Sequence, residues 1–262
     1  MLEFARYETR HRIRGAVALA VGLSLLAALV IWLYPSFAES IDMDQLLQAY
    51  PQPVLKAFGV KSMSTLAGFL AVELYSFAWV ILLGLYFAYS AASLVADDVE
   101  RERMDMLLSL PVSRSRIVFE KYLSLVVPIL VVNAITGVVV YVGSHLIEHP
   151  LPASDLFVVH ALSVPYLLAC AGIGLVASVV FDRESVAQRV GLGVVFALFL
   201  VESVVSGTDY SAVGAVAPMR YYDPAAVLVD GQYDVAGAVL LFVAAVALVV
   251  ASQQWFRRKD LD

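Results

Sequence analysis

Charge is scarce in this chain. Asp, Glu, Lys and Arg supply 15% of its 262 residues, whereas soluble domains carry about 25%, and the shortfall excludes an ordinary soluble enzyme. Cysteine is nearly absent. The one thiol, Cys170, lies in an apolar run, so neither an internal disulfide nor a cysteine zinc cluster is available. A basic surplus is missing too. With a formal net charge of −6 and a pI near 5.2, the chain has no phosphate-reading surface and is not a nucleic-acid binder. Nucleotide and hydrolytic signatures are lacking: G-x-x-x-x-G-K-[ST], G-x-G-x-x-G, H-E-x-x-H and G-x-S-x-G do not occur. The chain therefore has no ATPase motif of its own and reads as a non-enzyme. What is present is apolar. Hydrophobic residues make up 61% and the mean hydropathy is +0.83.

Those residues come in runs too long for a core helix, which makes the bilayer the relevant solvent. A hydrocarbon core of about 30 Å needs about 20 residues at about 1.5 Å each. The sequence predicts six such spans at 15–34, 66–96, 117–147, 156–180, 190–205 and 235–251, all within a single transmembrane domain, 1–262. The second and third exceed the bilayer and should tilt or project from it. The fifth is short, and 206–234 is expected to add a partly inserted hairpin or helix. Short helices are also expected on the outer surface over Ile41–Tyr50 and Val54–Phe58. Lys and Arg number 14 on alternate connecting segments against 3 on the others. Positive charge accumulates on the cytoplasmic side, so both termini are expected there, in an all-α, multi-pass protein of the cell membrane.

Several polar residues fall at membrane depth. Glu73 and Glu202 sit near the outer ends of the second and fifth spans, and an ionisable group there costs on the order of 3 kcal/mol. Two readings fit: both line an outward-opening path or gate, or they pair with Lys61 or Arg220. Asn133, Pro128 and Pro165 are expected to interrupt the third and fourth spans, and Asn133 joins the path candidates. His145 and His149, at i, i+4 beside Glu148, fit either a metal or proton site or a hydrogen-bonded interface. Tyr75, Phe77, Trp79, Tyr86, Phe87 and Tyr89 form either a greasy path or packing against lipid. Small residues at Ala169–Gly174, Gly191 and Gly193 let helices approach closely.

The most informative stretch joins the second and third spans. Asp97 or Asp98 is positioned to cap a helix whose first turn holds Glu100 and Glu102. Met104, Leu107, Leu108 and Pro111 follow at i, i+3, i+4 and i+7, opposite a charged face that includes Arg101, Arg103 and Asp105. Pro111 ends this amphipathic helix, and Ser113 or Ser115 restarts the chain beside Arg114 and Arg116. The charged face mixes both signs. That suits a protein groove better than an anionic leaflet.

At these residues a family resemblance emerges. Glu100-Arg-Glu-Arg-Met-Asp-Met-Leu-Leu-Ser-Leu-Pro-Val-Ser-Arg114, followed by Ile117, Val118 and Lys121, resembles the E-x-x-x-G-T-x-[DE]-x-L-L-[SA]-x-P-[VI]-[ST]-R…K segment of type-2 ABC exporter permeases. Tyr34-Pro35, the loop from Tyr50 to Gly59, Tyr221-Tyr-Asp-Pro224 and Phe256-Arg-Arg-Lys-Asp-Leu261 are similar to further landmarks of such chains, in order along the whole length. One departure is that the usual Gly-Thr stands here as Arg103-Met104. The resemblance implies that the segment is a coupling helix seated in a separate ATPase subunit, with Asp98, Glu100, Arg101, Glu102, Arg103, Met104, Asp105, Leu107, Leu108, Pro111 and Arg114 as its contacts. It further implies that ATP and Mg are bound by that partner alone. The chain would pair with a second copy or a sister permease through its first and fifth spans, and would export its substrate. The competing classes are an ion-coupled secondary transporter and an intramembrane enzyme. The first ordinarily shows inverted repeats and the second a buried His, Glu or Asp cluster, neither of which stands out in the sequence.

Overall fold

The computed structural model describes residues 3–40, 63–104 and 112–259. Every regular element among them is helical, and six helices are long and apolar enough to cross a membrane: Arg12–Ala38, Leu66–Glu100, Arg114–Leu146, Ala153–Val180, Glu184–Val205 and Val235–Arg258. The short helices expected over Ile41–Tyr50 and Val54–Phe58 lie outside the described residues.

All six expected spans are present, but several boundaries move. The first helix runs over Glu3–Ser40 and carries Pro35 within it. The fifth is not short. It starts at Glu184 and has 22 residues, about 33 Å at about 1.5 Å per residue. Its polar first turn, where the Gln188 amide donates to the Glu184 carboxylate (2.8 Å), hides the start from a hydropathy reading. The third span is divided into Arg114–Leu123 and Val126–Leu146. The break falls at Ser124, four residues before Pro128, where the proline ring meets the carbonyl of residue i−4. Pro165 does not interrupt the fourth span, which is continuous over Ala153–Val180, and the third continues unbroken past Asn133. The second span is composite, with α-helix at Leu66–Leu70 and Gly84–Glu100 flanking a wider π-helical stretch, Ala71–Leu83. Between the fifth and sixth spans lie two 3₁₀ turns, Ser211–Val216 and Pro218–Tyr221, and a short α-helix, Pro224–Leu228.

The second and fourth spans form the centre, each with 61% of its apolar window buried, while the fifth has only 17% buried. The second, fifth and sixth spans pack on the fourth, and the first packs on the third. Missing side chains make the closest approaches. A Cβ on Gly174 of the fourth span would lie 2.8 Å from the Ala88 carbonyl carbon, and one on Gly191 would lie 3.2 Å from both Ala92 Cβ and Gly174 Cα. Ala92, Ala96 and Ala187 continue this contact as a buried cluster. Backbones this close exchange dispersion contacts that lipid cannot replace. Gly193, by contrast, faces open space.

Because the chain crosses back and forth, the start of the first span and the end of the sixth lie at the same end as residues 97–104 and 112–121. Arg12 donates to Ser90 Oγ (3.2 Å), and Arg114 donates to the Lys259 carbonyl (2.6 Å). This is termed the charged end below.

Candidate functional site: the charged end and a buried polar network

The charged end is organised by how the second span stops. Asp97, Asp98 and Glu100 do not open an amphipathic helix, as their sequence context had indicated; they form the last turn of Gly84–Glu100. Glu102 then takes a left-handed conformation (φ 56°). Its amide donates to the Val99 carbonyl (3.1 Å), and the Arg103 amide donates to the Asp98 carbonyl (2.9 Å), which is the hydrogen-bond pattern of a Schellman stop. Glycine normally occupies this position because it has no Cβ to clash. Counted back from Leu107-Leu108, the glycine of the permease pattern falls on Glu102, not on Arg103. That register was the sequence signal for the turn. An ion pair between Arg103 and Asp98 (2.9 Å) takes the place of the apolar contact that often accompanies such a stop.

Charges of both signs then lock the end together. Asp98 is buried and meets Lys121 Nζ at 2.6 Å, and Lys121 is itself buried in the third span. Asp97 pairs with Arg101 (2.5 Å) and with Arg103. Burial alone would lower the Arg103 guanidinium, but Asp98 and Asp97 outweigh it and hold it above its ordinary value. Buried Glu120 pairs with Arg116 (2.7 Å). Glu100 Oε2 accepts from the Glu184 amide (2.7 Å), placing a carboxylate on the positive end of the fifth helix. Ser113 caps the third span by accepting from the Arg116 amide (3.3 Å).

Of the eleven residues expected to face an ATPase, the structure thus uses several internally. Asp98 and Arg103 hold the stop of the second span, Glu100 caps the fifth, and Arg114 reaches the end of the sixth. Met104 is buried within the chain, so its side chain is not a free anchor. Arg101 and Glu102 are exposed. Asp105, Leu107, Leu108 and Pro111 lie outside the described residues.

A second polar assembly lies inside the bundle. Asn133 of the third span donates through Nδ2 to the Ile129 carbonyl (2.9 Å), which orients its oxygen toward the second and fourth spans. Oδ1 accepts from Trp79 Nε1 (3.1 Å) and Ser163 Oγ (2.7 Å), and faces His160 Nδ1 at 2.8 Å. An amide oxygen only accepts, so Nδ1 carries the proton; Nε2 then accepts from the Tyr75 hydroxyl (3.1 Å). All five side chains are buried. Sequence reasoning identified Asn133 but did not single out His160. The spacing of 133 to 160 becomes a contact only when the third and fourth spans pack. Asn133 and His160 also line a groove of about 760 Å³ walled by Leu130, Val138, Phe157 and Val164.

The remaining candidates separate. Glu202 is buried and faces Arg220 at 3.8 Å, and Gly214 leaves room for its carboxylate. This is the pairing foreseen as one of two alternatives. Glu73 is exposed on the second span. The aromatic run divides: Tyr75, Trp79 and Phe87 are core, whereas Phe77, Tyr86 and Tyr89 are exposed. His145 and His149 turn to different partners, His145 to the Tyr141 ring and carbonyl and His149 to the Tyr34 ring. Among the described residues no group of three or more His, Cys, Asp or Glu could hold a metal ion.

Six apolar helices carrying an ion-paired end and a buried polar network define a multi-pass helical membrane protein. A family model described as ABC-2 family transporter protein matches residues 2–261, so the chain belongs to the ABC-2 family of transporter permeases and is a membrane permease of an ABC transporter. Members of this family are the transport component rather than the catalyst, and generally form dimers and pair with an ATPase subunit. A comparison with curated proteins gave no match.

Proposed function

We propose that the chain is the membrane-spanning subunit of an ATP-driven exporter, driven by a separate ATPase that docks on the segment between the second and third spans. The observation that carries this reading is the charged end. Both flanks of residues 105–111 are fastened to the bundle, the preceding one by the pair from Asp98 to Lys121 of the third span and the following one by Arg114 to the end of the sixth. A partner gripping that segment therefore pulls on the second, third, fifth and sixth spans together. The excess of Lys and Arg on this side supports a cytoplasmic placement, where ATP would be available to the partner with its Mg.

Pairing with a second copy or a sister permease is supported by two uncovered ridges at i, i+4 spacing. Val17, Val21, Leu25 and Leu29 form one along the first span; Leu192, Phe196, Leu200 and Val204 form the other along the fifth. The translocation path would lie between the two subunits, with Glu73 on an exposed face of the second span.

The test is co-purification with the ATPase subunit. Leu107→Asp and Leu108→Asp are expected to abolish it while the chain stays folded in the membrane. Met104 is unsuited to this test because its burial makes Met104→Asp a folding mutation. Full ATPase recovery with either leucine variant would remove the coupling assignment.

A further inference from the structure

The end of the sixth span makes an unusual set of attachments. The helix closes at Arg258, and Lys259 follows in extended conformation (φ −73°, ψ 123°). Its Nζ donates to the Val179 carbonyl (2.9 Å), approaches the Val180 carbonyl (3.4 Å) and pairs with Asp182 (2.6 Å). Val179 and Val180 end the fourth span, so their carbonyls have no helical donor, and an ammonium there also complements the negative end of the helix dipole. The Lys259 carbonyl, in turn, accepts from Arg114 Nη1 (2.6 Å). The Arg114 guanidinium lies over the Phe256 ring at 5.9 Å, and Gln253 Nε2 donates to the Ser115 carbonyl (2.9 Å). One residue thus touches the last turn of the fourth span with its side chain and the first turn of the third with its backbone. The fourth span is the centre of the bundle, and the third starts where the proposed ATPase-binding segment ends.

We propose that Lys259 is a positioning residue for energy coupling, clamping the first turn of the third span to the last turn of the fourth so that displacement of the 97–114 segment reaches the fourth and sixth spans without slack. This rests on the reading of that segment as the ATPase docking site. The clamp itself does not, since it exists in the chain alone. The mechanical logic is simple. Arg114 is fixed at two points, the Lys259 carbonyl and the Phe256 ring, so the start of the third span cannot shift without carrying residues 256–259. Lys259 cannot shift without either moving the fourth span or breaking a charged contact to its terminal carbonyls.

Spin labels at Phe119→Cys and Arg183→Cys, both exposed positions, report the distance between the third span and the end of the fourth; native Cys170 is buried. In the otherwise unaltered chain in lipid nanodiscs, a single narrow distance is expected. Lys259→Gln should broaden it, and Lys259→Arg should restore it. In the complex with the ATPase, Lys259→Gln should leave KM for ATP unchanged and lower the maximal hydrolysis rate about tenfold, the scale of one lost charged hydrogen bond. A merely structural defect would instead reduce the yield of complex. An unchanged distance distribution in the chain alone overturns the clamp. An altered distribution with an unchanged maximal rate overturns the coupling role. Absence of any ATPase from the unaltered preparation refutes the docking reading and the coupling role with it, while the distance measurement still decides whether the clamp exists.

Discussion

Replacing Gly174 by alanine tests the packing on which the charged end is built. The new Cβ would stand 2.8 Å from the Ala88 carbonyl carbon and 3.0 Å from Ala88 Cα, whereas carbon atoms rest at about 3.5–4.0 Å. Both sides of this contact are helix backbone. No side chain can swing away, so the second and fourth spans must part by about 1 Å. Overpacking of this kind costs about 1–3 kcal/mol, and a rigid backbone contact belongs at the upper end. The gain in helix propensity on replacing glycine by alanine returns about 1 kcal/mol, leaving a net loss of about 2 kcal/mol. In a chain of this size that corresponds to a fall in Tm of about 4–8 °C. Gly193→Ala supplies the internal control, because nothing lies within 4 Å of its Cβ position and the propensity gain stands unopposed. Thermal unfolding of the detergent-solubilised monomer, separated by gel filtration, reads both. A Gly174→Ala chain that melts with or above the Gly193→Ala chain would refute the claimed backbone contact. The second span carries the ion pairs of the charged end ten residues further on, so the same substitution should also loosen the Asp98 to Lys121 contact.

Two further substitutions address the polar assemblies. Lys121→Met leaves buried Asp98 with Arg103 (2.9 Å) as its remaining ion-pair partner, so the loss should fall short of the cost of a buried charge left wholly unpaired, about 3–5 kcal/mol. Joint replacement with Asp98→Asn should recover most of the lost melting temperature, and strictly additive losses would show that the two residues do not interact. Asn133→Leu removes the acceptor shared by Trp79 and His160, at about 1–3 kcal/mol for each orphaned donor. Adding His160→Phe removes one of those donors but orphans the buried Tyr75 hydroxyl, so the loss should lessen only when Tyr75→Phe is added as well. A melt unchanged by Asn133→Leu would mean that the network contributes nothing to stability.

The six spans and their order were legible in the sequence because a bilayer imposes length and apolarity on every crossing, and both can be read residue by residue. A restart of the chain at Ser113 or Ser115 was legible too, and the structure selects Ser113 as the cap. Where boundaries moved, a local rule was masked by composition, as at Glu184, where a polar first turn looks like a loop. Pairings between distant residues were not legible. Asp98 reads in sequence as a cap and contact of a docking helix and Lys121 as a motif residue beyond it; their pairing exists because the second span stops at Glu100 and the third starts beside it. His160 and Asn133 are 27 positions apart, and nothing in either span's pattern states that the two faces meet. Gly174 and Gly193 are equally small in sequence, yet one lies against a backbone and the other against open space. The division follows from physics. Helix formation and membrane insertion depend on local hydrogen bonding and summed hydropathy, whereas the contacts that lock the charged end, the buried network and the Lys259 clamp depend on which helix faces are apposed. Only the packed bundle decides that.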